Sequence, residues 1–164
     1  MDQKIIYVHT DISYSKTANL VFNEYGQLLV LRRSEWKKIP GQYYRPDLSH
    51  KPDLPGGLIG DEDELESERV GSARELAEET GIEIDDSALK LLYCDTRYKP
   101  NENISETRLV YLLKLDYTPE ITLSWEHESY EWLDPISVAE QCLLSGARHK
   151  ALVYLIEHRN LFGI

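Results

Sequence analysis

GDEDELESERVGSARELAEETGI, residues 60–82, is the stretch from which the rest of the chain can be read. From about Glu66, Val70, Ala73, Leu76, Ala77 and Thr80 recur three or four residues apart, the repeat of a helix with one packed face, and Gly81 supplies its stop signal. On that helix Glu75, Glu78 and Glu79 fall at i, i+3 and i+4, which confines them to an arc of about 100°. Like charges at those spacings each cost roughly 0.2–0.5 kcal/mol, so the helix itself gains nothing from the arrangement. A solvated acidic face is one reading of three glutamates taken alone. The other is a set of hard oxygen ligands for Mg²⁺ or Mn²⁺, with waters and substrate phosphates completing the shell.

Upstream, residues 4–9 and 17–22 alternate or run apolar at strand length, and NEYGQ reads as a turn into LLVLRR (28–33), a buried strand ending in two arginines. The polar stretch from Ser34 to Asp53 holds three prolines and no period, and a loop of that length is often functional. Downstream, LKLLYCDTRY (89–98), ETRLVYLLKLDY (106–117) and YEWL (130–133) read as strands, and SVAEQCLL (137–144) and ARHKALVYLIEHRNLF (147–162) as helices. The order β-β-α-β-β-β-α-α predicts an α+β fold, a mixed sheet with helices packed on it. No linker, repeat or low-complexity block divides the chain, so one domain over residues 1–164 is expected.

A chain of 164 residues buries about 70% of its unfolded surface without metal or disulfide staples. Its 18 Lys and Arg against 29 Asp and Glu leave a net charge of −11, which repels nucleic-acid polymers and bulk membrane surfaces. A small phosphorylated ligand escapes that exclusion if a divalent cation bridges it to the acidic groups. No apolar run approaches a membrane span and MDQKIIYVHTD carries no export signal, so a cytoplasmic location is expected. Cys94 and Cys142 have apolar neighbours and no CxxC spacing, which predicts buried reduced thiols and no zinc site. Nothing in the pattern fixes the oligomeric state, and a homodimer is compatible with it.

Taken together, residues 60–82 fit G-x5-E-x7-R-E-U-x-E-E-x-G-U, with U a bulky aliphatic residue, and Gly60, Glu66, Arg74, Glu75, Leu76, Glu78, Glu79, Gly81 and Ile82 fill every fixed position. A chance match is on the order of one in a million. The stretch resembles the Nudix box, the signature of the Nudix hydrolases, and the strand order around it is similar to that family's α/β/α sandwich. The resemblance implies hydrolysis of a nucleoside diphosphate linked to another group X, with divalent metals held by the box. It makes Glu75 and Glu79 the principal metal ligands and Glu78 a further ligand or the general base, with Arg74 orienting Glu75. One departure stands out. The family's Pro-Gly-Gly turn falls here in DLPGG and ends at Gly57, three residues before Gly60. A three-residue insertion in the acidic loop accounts for this, and the carbonyl that completes the metal shell is assigned to Gly57, with Gly60 the alternative.

Arg33, at the end of a strand, matches a position where some Nudix members set an arginine against substrate phosphate, a use suited to the planar guanidinium fork. In the long loop Tyr44 and Arg45, with Trp36 and Tyr43, are candidates to stack on a base or grip X, or to anchor the loop. WEHESYEWLDP, from Trp125, resembles a Glu-His-x-x-Tyr-x-Trp segment of Nudix members similar to dihydroneopterin triphosphate pyrophosphohydrolase. That resemblance makes Glu126 a ligand or base from outside the box, with Glu128 the neighbouring alternative and His127 structural or solvated. A non-catalytic nucleotide sensor on the same fold is the competing function, and the full set Arg74, Glu75, Glu78 and Glu79 argues against it. Isomerisation of an isoprenoid diphosphate would need a catalytic cysteine, and the surroundings of Cys94 do not resemble that subgroup.

Overall fold

The computed structural model describes residues 12–35, 48–60 and 66–163. The strand expected over residues 4–9 therefore lies outside the described residues, as do Trp36, Tyr43, Tyr44 and Arg45. Among the described residues six strands form one mixed sheet: β1 (Ile12–Phe22), β2 (Leu28–Arg33), β3 (Pro52–Asp53), β4 (Lys90–Lys99), β5 (Ile104–Lys114) and β6 (His127–Leu133). Four α-helices accompany them there: α1 (Glu68–Thr80), α2 (Pro135–Glu140), α3 (Gly146–Glu157) and α4 (Arg159–Phe162). Among the described residues no helix is long and apolar enough to cross a membrane.

β1 runs parallel to β5 along its whole length, from Ile12 opposite Ile104 to Phe22 opposite Lys114, and β4 pairs antiparallel beyond β5. On its other side β1 meets β2 at the hairpin end, Phe22 opposite Leu28. Asn23 closes that turn, its side-chain oxygen accepting from the N–H groups of Tyr25 (3.1 Å) and Gln27 (2.9 Å), and Gly26 takes the left-handed φ of +72°. From there the two strands part. β2 pairs with β3 and β6, while β1 pairs with the segment that follows β3: the Thr17 N–H donates to Gly57 O (2.9 Å), Asn19 N–H to Pro55 O (2.8 Å) and Ile59 N–H to Ser15 O (3.0 Å). The Gly-Gly loop is thereby laid in extended form beside β1.

Side-chain alternation along the central strands builds two cores. Ala18, Leu20 and Phe22 of β1, Val30 of β2 and Val110 and Leu112 of β5 pack against α2 and α3 through Val138, Ala151, Leu152 and Leu155. Val21, Leu29, Leu31, Leu109 and Leu113 face the opposite way and pack against Leu76 of α1, Ile82 and Leu89. This is the expected α/β/α sandwich, and each fully buried Leu contributes roughly 2 kcal/mol of apolar transfer.

Three expectations change in detail. The buried face of α1 is Gly71, Ser72, Leu76, Glu79 and Thr80, whereas Val70 is 47% exposed. The face turns because polar groups dock it: Ser72 Oγ donates to Asn19 Oδ1 (2.9 Å), and Asn19 Nδ2 donates to the carbonyls of Pro55 and Ser72, both at 3.3 Å. The cysteines are exposed, contrary to their expected burial. Cys94 stands on β4 at the edge of the sheet, and Cys142 leaves α2 with a φ of +51°. That left-handed residue also cuts the helix expected over 137–144 back to Glu140, and the last helical segment breaks at His158 into α3 and α4.

Candidate functional site

Local signals set α1 in place. Ser67 caps its start by accepting from the Val70 N–H (3.4 Å), and Gly81 ends it with a left-handed φ of 74°. The three glutamates then meet three environments. Glu78 points to solvent, Glu75 is largely covered, and Glu79 is only 6% exposed. Arg74 gathers the exposed part of the cluster. Its Nε and one terminal nitrogen fork onto Glu66 at 2.9 and 3.1 Å, and the other terminal nitrogen donates to Glu75 (3.1 Å) and Glu78 (3.0 Å). Hydrogen bonding to Arg74 is the main reason that Glu66 titrates below the usual carboxylate range, and the same bonds raise Arg74.

The Gly56–Gly57 loop meets the helix from the β1 side. Gly56 holds a φ of +147°, and a Cβ there would lie 2.3 Å from the Thr17 carbonyl oxygen. Its N–H donates to Glu79 Oε2 at 2.8 Å. A Cβ on Gly57 would lie 2.3 Å from Glu75 Oε2, so the Glu75 carboxylate rests directly on that residue's Cα. At Gly60, by contrast, a Cβ would meet open space, and its N–H donates to Glu66 Oε2 at 3.2 Å.

Negative charge is crowded here. Burial first, then the charges of Glu126, Asp53 and Glu75, push Glu79 up to about 9 against the single favourable Gly56 N–H. Burial likewise raises Glu75, with Glu78 and Glu126 adding to the shift and Arg74 opposing it. Glu126, outside the box, contributes its charge to both shifts. Its carbonyl is held by the Ser34 N–H at 2.8 Å, and its carboxylate lies 3.9 Å from Arg33. Arg33 makes its shorter contact, 2.9 Å, with the buried Asp53, which also receives Arg148 at 3.0 Å and the Leu54 N–H at 2.8 Å. His127 is buried 4.0 Å from Glu79, and neither ring nitrogen has a hydrogen-bond partner among the described residues. Burial holds its imidazole neutral, down to about 4, with Arg33 and Arg148 helping and Asp53 opposing.

These carboxylates suit a hard divalent cation: all donors are oxygens, and one is buried beside three other acids that disfavour its ionisation. Among the described residues no three acidic, histidine or cysteine side chains already converge on one point. Asn19, Ser72, Asp53 and Arg148 organise the site yet carry no sequence signal, because their partners lie at unrelated sequence distances.

A carboxylate-bearing helix, clasped by its own arginine, is thus set against a glycine loop on one face of an α/β/α sandwich. The model of the NUDIX domain matches residues 15–153, and the chain belongs to the Nudix hydrolase family. Solved structures share the fold. The MutT protein of Methanosarcina mazei Go1 is 24% identical, with 90% of this chain and 96% of that one covered and a TM-score of 0.69. An Ap4A hydrolase of C. elegans is 20% identical over 92% of this chain and 99% of that one, with a TM-score of 0.62. The NUDIX domain of Shewanella oneidensis NrtR, complexed with ADP ribose, is 17% identical over 91% and 89%, with a TM-score of 0.64. Among curated proteins none matches the sequence significantly.

Proposed function

We propose that the protein is a metal-dependent pyrophosphohydrolase that cleaves a phosphoanhydride bond in a nucleoside triphosphate or in a nucleoside diphosphate linked to another group X. The observation that carries this reading is Glu79, a carboxyl buried among Glu75, Glu126 and Asp53 and held by the Gly56 N–H. Such crowding is costly unless a cation offsets it. Glu75, Glu79 and Glu126, with Glu78 as a further ligand or the base, would hold Mg²⁺ or Mn²⁺. The Gly57 carbonyl is preferred to that of Gly60 because Glu75 rests on Gly57, and its bond from Thr17 leaves one lone pair free.

The bound ions would neutralise phosphate oxygens and acidify the attacking water. Water oxygen adds to one phosphorus, the anhydride P–O bond breaks, and its electron pair leaves on the departing phosphate. The products are a nucleoside monophosphate and either pyrophosphate or phosphorylated X. Glu78 or Glu126, both more open to solvent than Glu79, would take the proton from water. Arg74 positions Glu75 and Glu78 through its fork on Glu66. Arg33, with Tyr44 and Arg45 of the long loop, would bind substrate phosphate or base. An Ap4A hydrolase and a domain complexed with ADP ribose, among the solved structures of similar fold, support a small nucleotide-type substrate.

The test is phosphate release from a panel of nucleoside triphosphates, dinucleoside polyphosphates, nucleotide sugars, ADP-ribose and NADH. It is run with Mg²⁺ or Mn²⁺, with pyrophosphatase to expose pyrophosphate, and with Glu79→Gln as control. Turnover of one compound, lost in the variant, is the expected result. Silence across the panel together with metal-dependent nucleotide binding would replace the hydrolase with a nucleotide sensor.

A further inference from the structure

On the face of the sheet covered by α3 lies a cleft of about 380 Å³, whose walls include Lys16, Arg97, Arg108 and Arg148. Among the described residues Glu106 is the one carboxylate lining it, and Val110 supplies part of an apolar floor. The charges there do not balance. Arg108 forks onto Asp95, with its Nε at 2.8 Å, and Arg97 stands 4.0 Å from the same carboxylate. Glu106 takes the Tyr14 hydroxyl at 2.5 Å and faces Lys16, Lys99 and Arg108 at 3.7, 3.6 and 3.8 Å. With Lys99 and the Arg148–Asp53 pair counted, three carboxylates face five cations among the described residues, in a chain whose net charge is −11. Burial alone would raise Glu106, yet the Tyr14 hydroxyl and the surrounding cations hold it below its usual range.

Two further features add to the positive potential and tie the cleft to the box. Gly146 and Ala147, in the first turn of the twelve-residue helix α3, form another wall, and Ser145 gives that turn no side-chain cap. Arg148 reaches out of the cleft to Asp53, which also holds Arg33 beside Glu126. Thr17 lines the cleft, and its backbone N–H carries the Gly57 carbonyl. The cleft and the box loop thus share one stretch of β1.

Resting on the hydrolase reading above, we infer that this cleft receives the X group of the substrate and that X carries its own phosphate, remote from the scissile anhydride. The excess cations then find their counter-charge on the ligand, and an apolar floor beside them suits the ring or chain that bears it.

Arg97→Glu is the diagnostic variant, because Arg97 is half exposed and its one ion pair is long, so its loss spares the fold, which a thermal melt verifies. Binding is followed by amide chemical shifts in EDTA, where metal-mediated binding at the box is removed. Inorganic phosphate is expected to bind saturably to the wild type and at least tenfold more weakly to Arg97→Glu, with Lys16→Gln intermediate and acetate weaker throughout. In turnover, Arg97→Glu is expected to raise KM at least tenfold more for a nucleoside diphosphate sugar bearing a sugar phosphate than for its unphosphorylated counterpart. Non-saturable phosphate binding that is unchanged in Arg97→Glu, or equal KM shifts for the two substrates, would overturn the inference. Acetate binding as tightly as phosphate would overturn the phosphate assignment. Saturable, Arg97-dependent phosphate binding by a protein that hydrolyses nothing in the panel would sink the hydrolase reading and leave the cleft an anion site.

Discussion

Glu79→Gln changes one atom type in the most buried carboxyl of the box, and its effect on the metal-free protein has opposite sign to its effect on catalysis. The glutamine oxygen can still accept the Gly56 N–H that Glu79 accepts at 2.8 Å, and its amide faces the unpartnered ring of His127. In the folded wild type Glu79 is raised from 4.5 to about 9 by burial and by Glu126, Asp53 and Glu75. A folded-state value above the unfolded one means that the protonated acid is favoured by folding. The associated stability is complete below about pH 4.5 and falls by about 1.4 kcal/mol per pH unit toward pH 9. Between pH 5 and 8 that slope amounts to ~4 kcal/mol, and roughly half of it after allowing for water entering the open site. In EDTA, Glu79→Gln is therefore expected to gain on the wild type by ~2–4 kcal/mol over this range, a relative rise of roughly 5–15 °C in Tm. Thermal melts of both proteins in matched buffers give the difference directly. Mg²⁺ at pH 8 is expected to raise the wild-type Tm and leave the variant nearly unchanged. A Tm difference that stays flat from pH 5 to 8 would refute the reasoning.

The two loop glycines separate fold from function. Gly57→Ala sets a Cβ against the mobile end of Glu75, so the melting curve should hardly change while kcat falls at least tenfold; Gly56→Ala meets the Thr17 backbone at a φ of +147° and should cost ~2 kcal/mol or more in a urea melt. Asn19→Leu leaves the buried Ser72 hydroxyl without its acceptor, while the main-chain bond to the Pro55 carbonyl survives, and should cost ~1–3 kcal/mol by the same melt. Both Cys94 and Cys142 should react with a thiol reagent in the native protein, at rates that urea raises only modestly.

What could be read from the sequence was what local periodicity or fixed spacing encodes. LLVLRR is β2 over residues 28–33, and the glutamates of the box lie on a helix that Gly81 ends. Glu126 drew notice through its short segment, and its charge adds to the shifts of Glu75 and Glu79. The orientation of α1 was not legible. Its apolar spacing pointed to Val70, but the groups that turn the helix are Ser72, paired 53 positions away with Asn19, and Glu79, held across 23 positions by Gly56. Asp53 had no motif to announce it, since its meaning comes from Arg33 and Arg148 converging from different elements. The cysteines misled because apolar neighbours in sequence are not neighbours in space: β4 is an edge strand, and Cys142 sits where a helix has ended.

The parting of β1 and β2 has a mechanical consequence for the box carboxylates. Backbone bonding to β1 holds the chain as far as Ile59, and at Gly60 an N–H already reaches Glu66, the carboxylate that Arg74 clasps. The register that sets Gly56 against Glu79 and Gly57 against Glu75 is thus written in main-chain bonds upstream of that contact, and the carboxylates stay where the strand has put them.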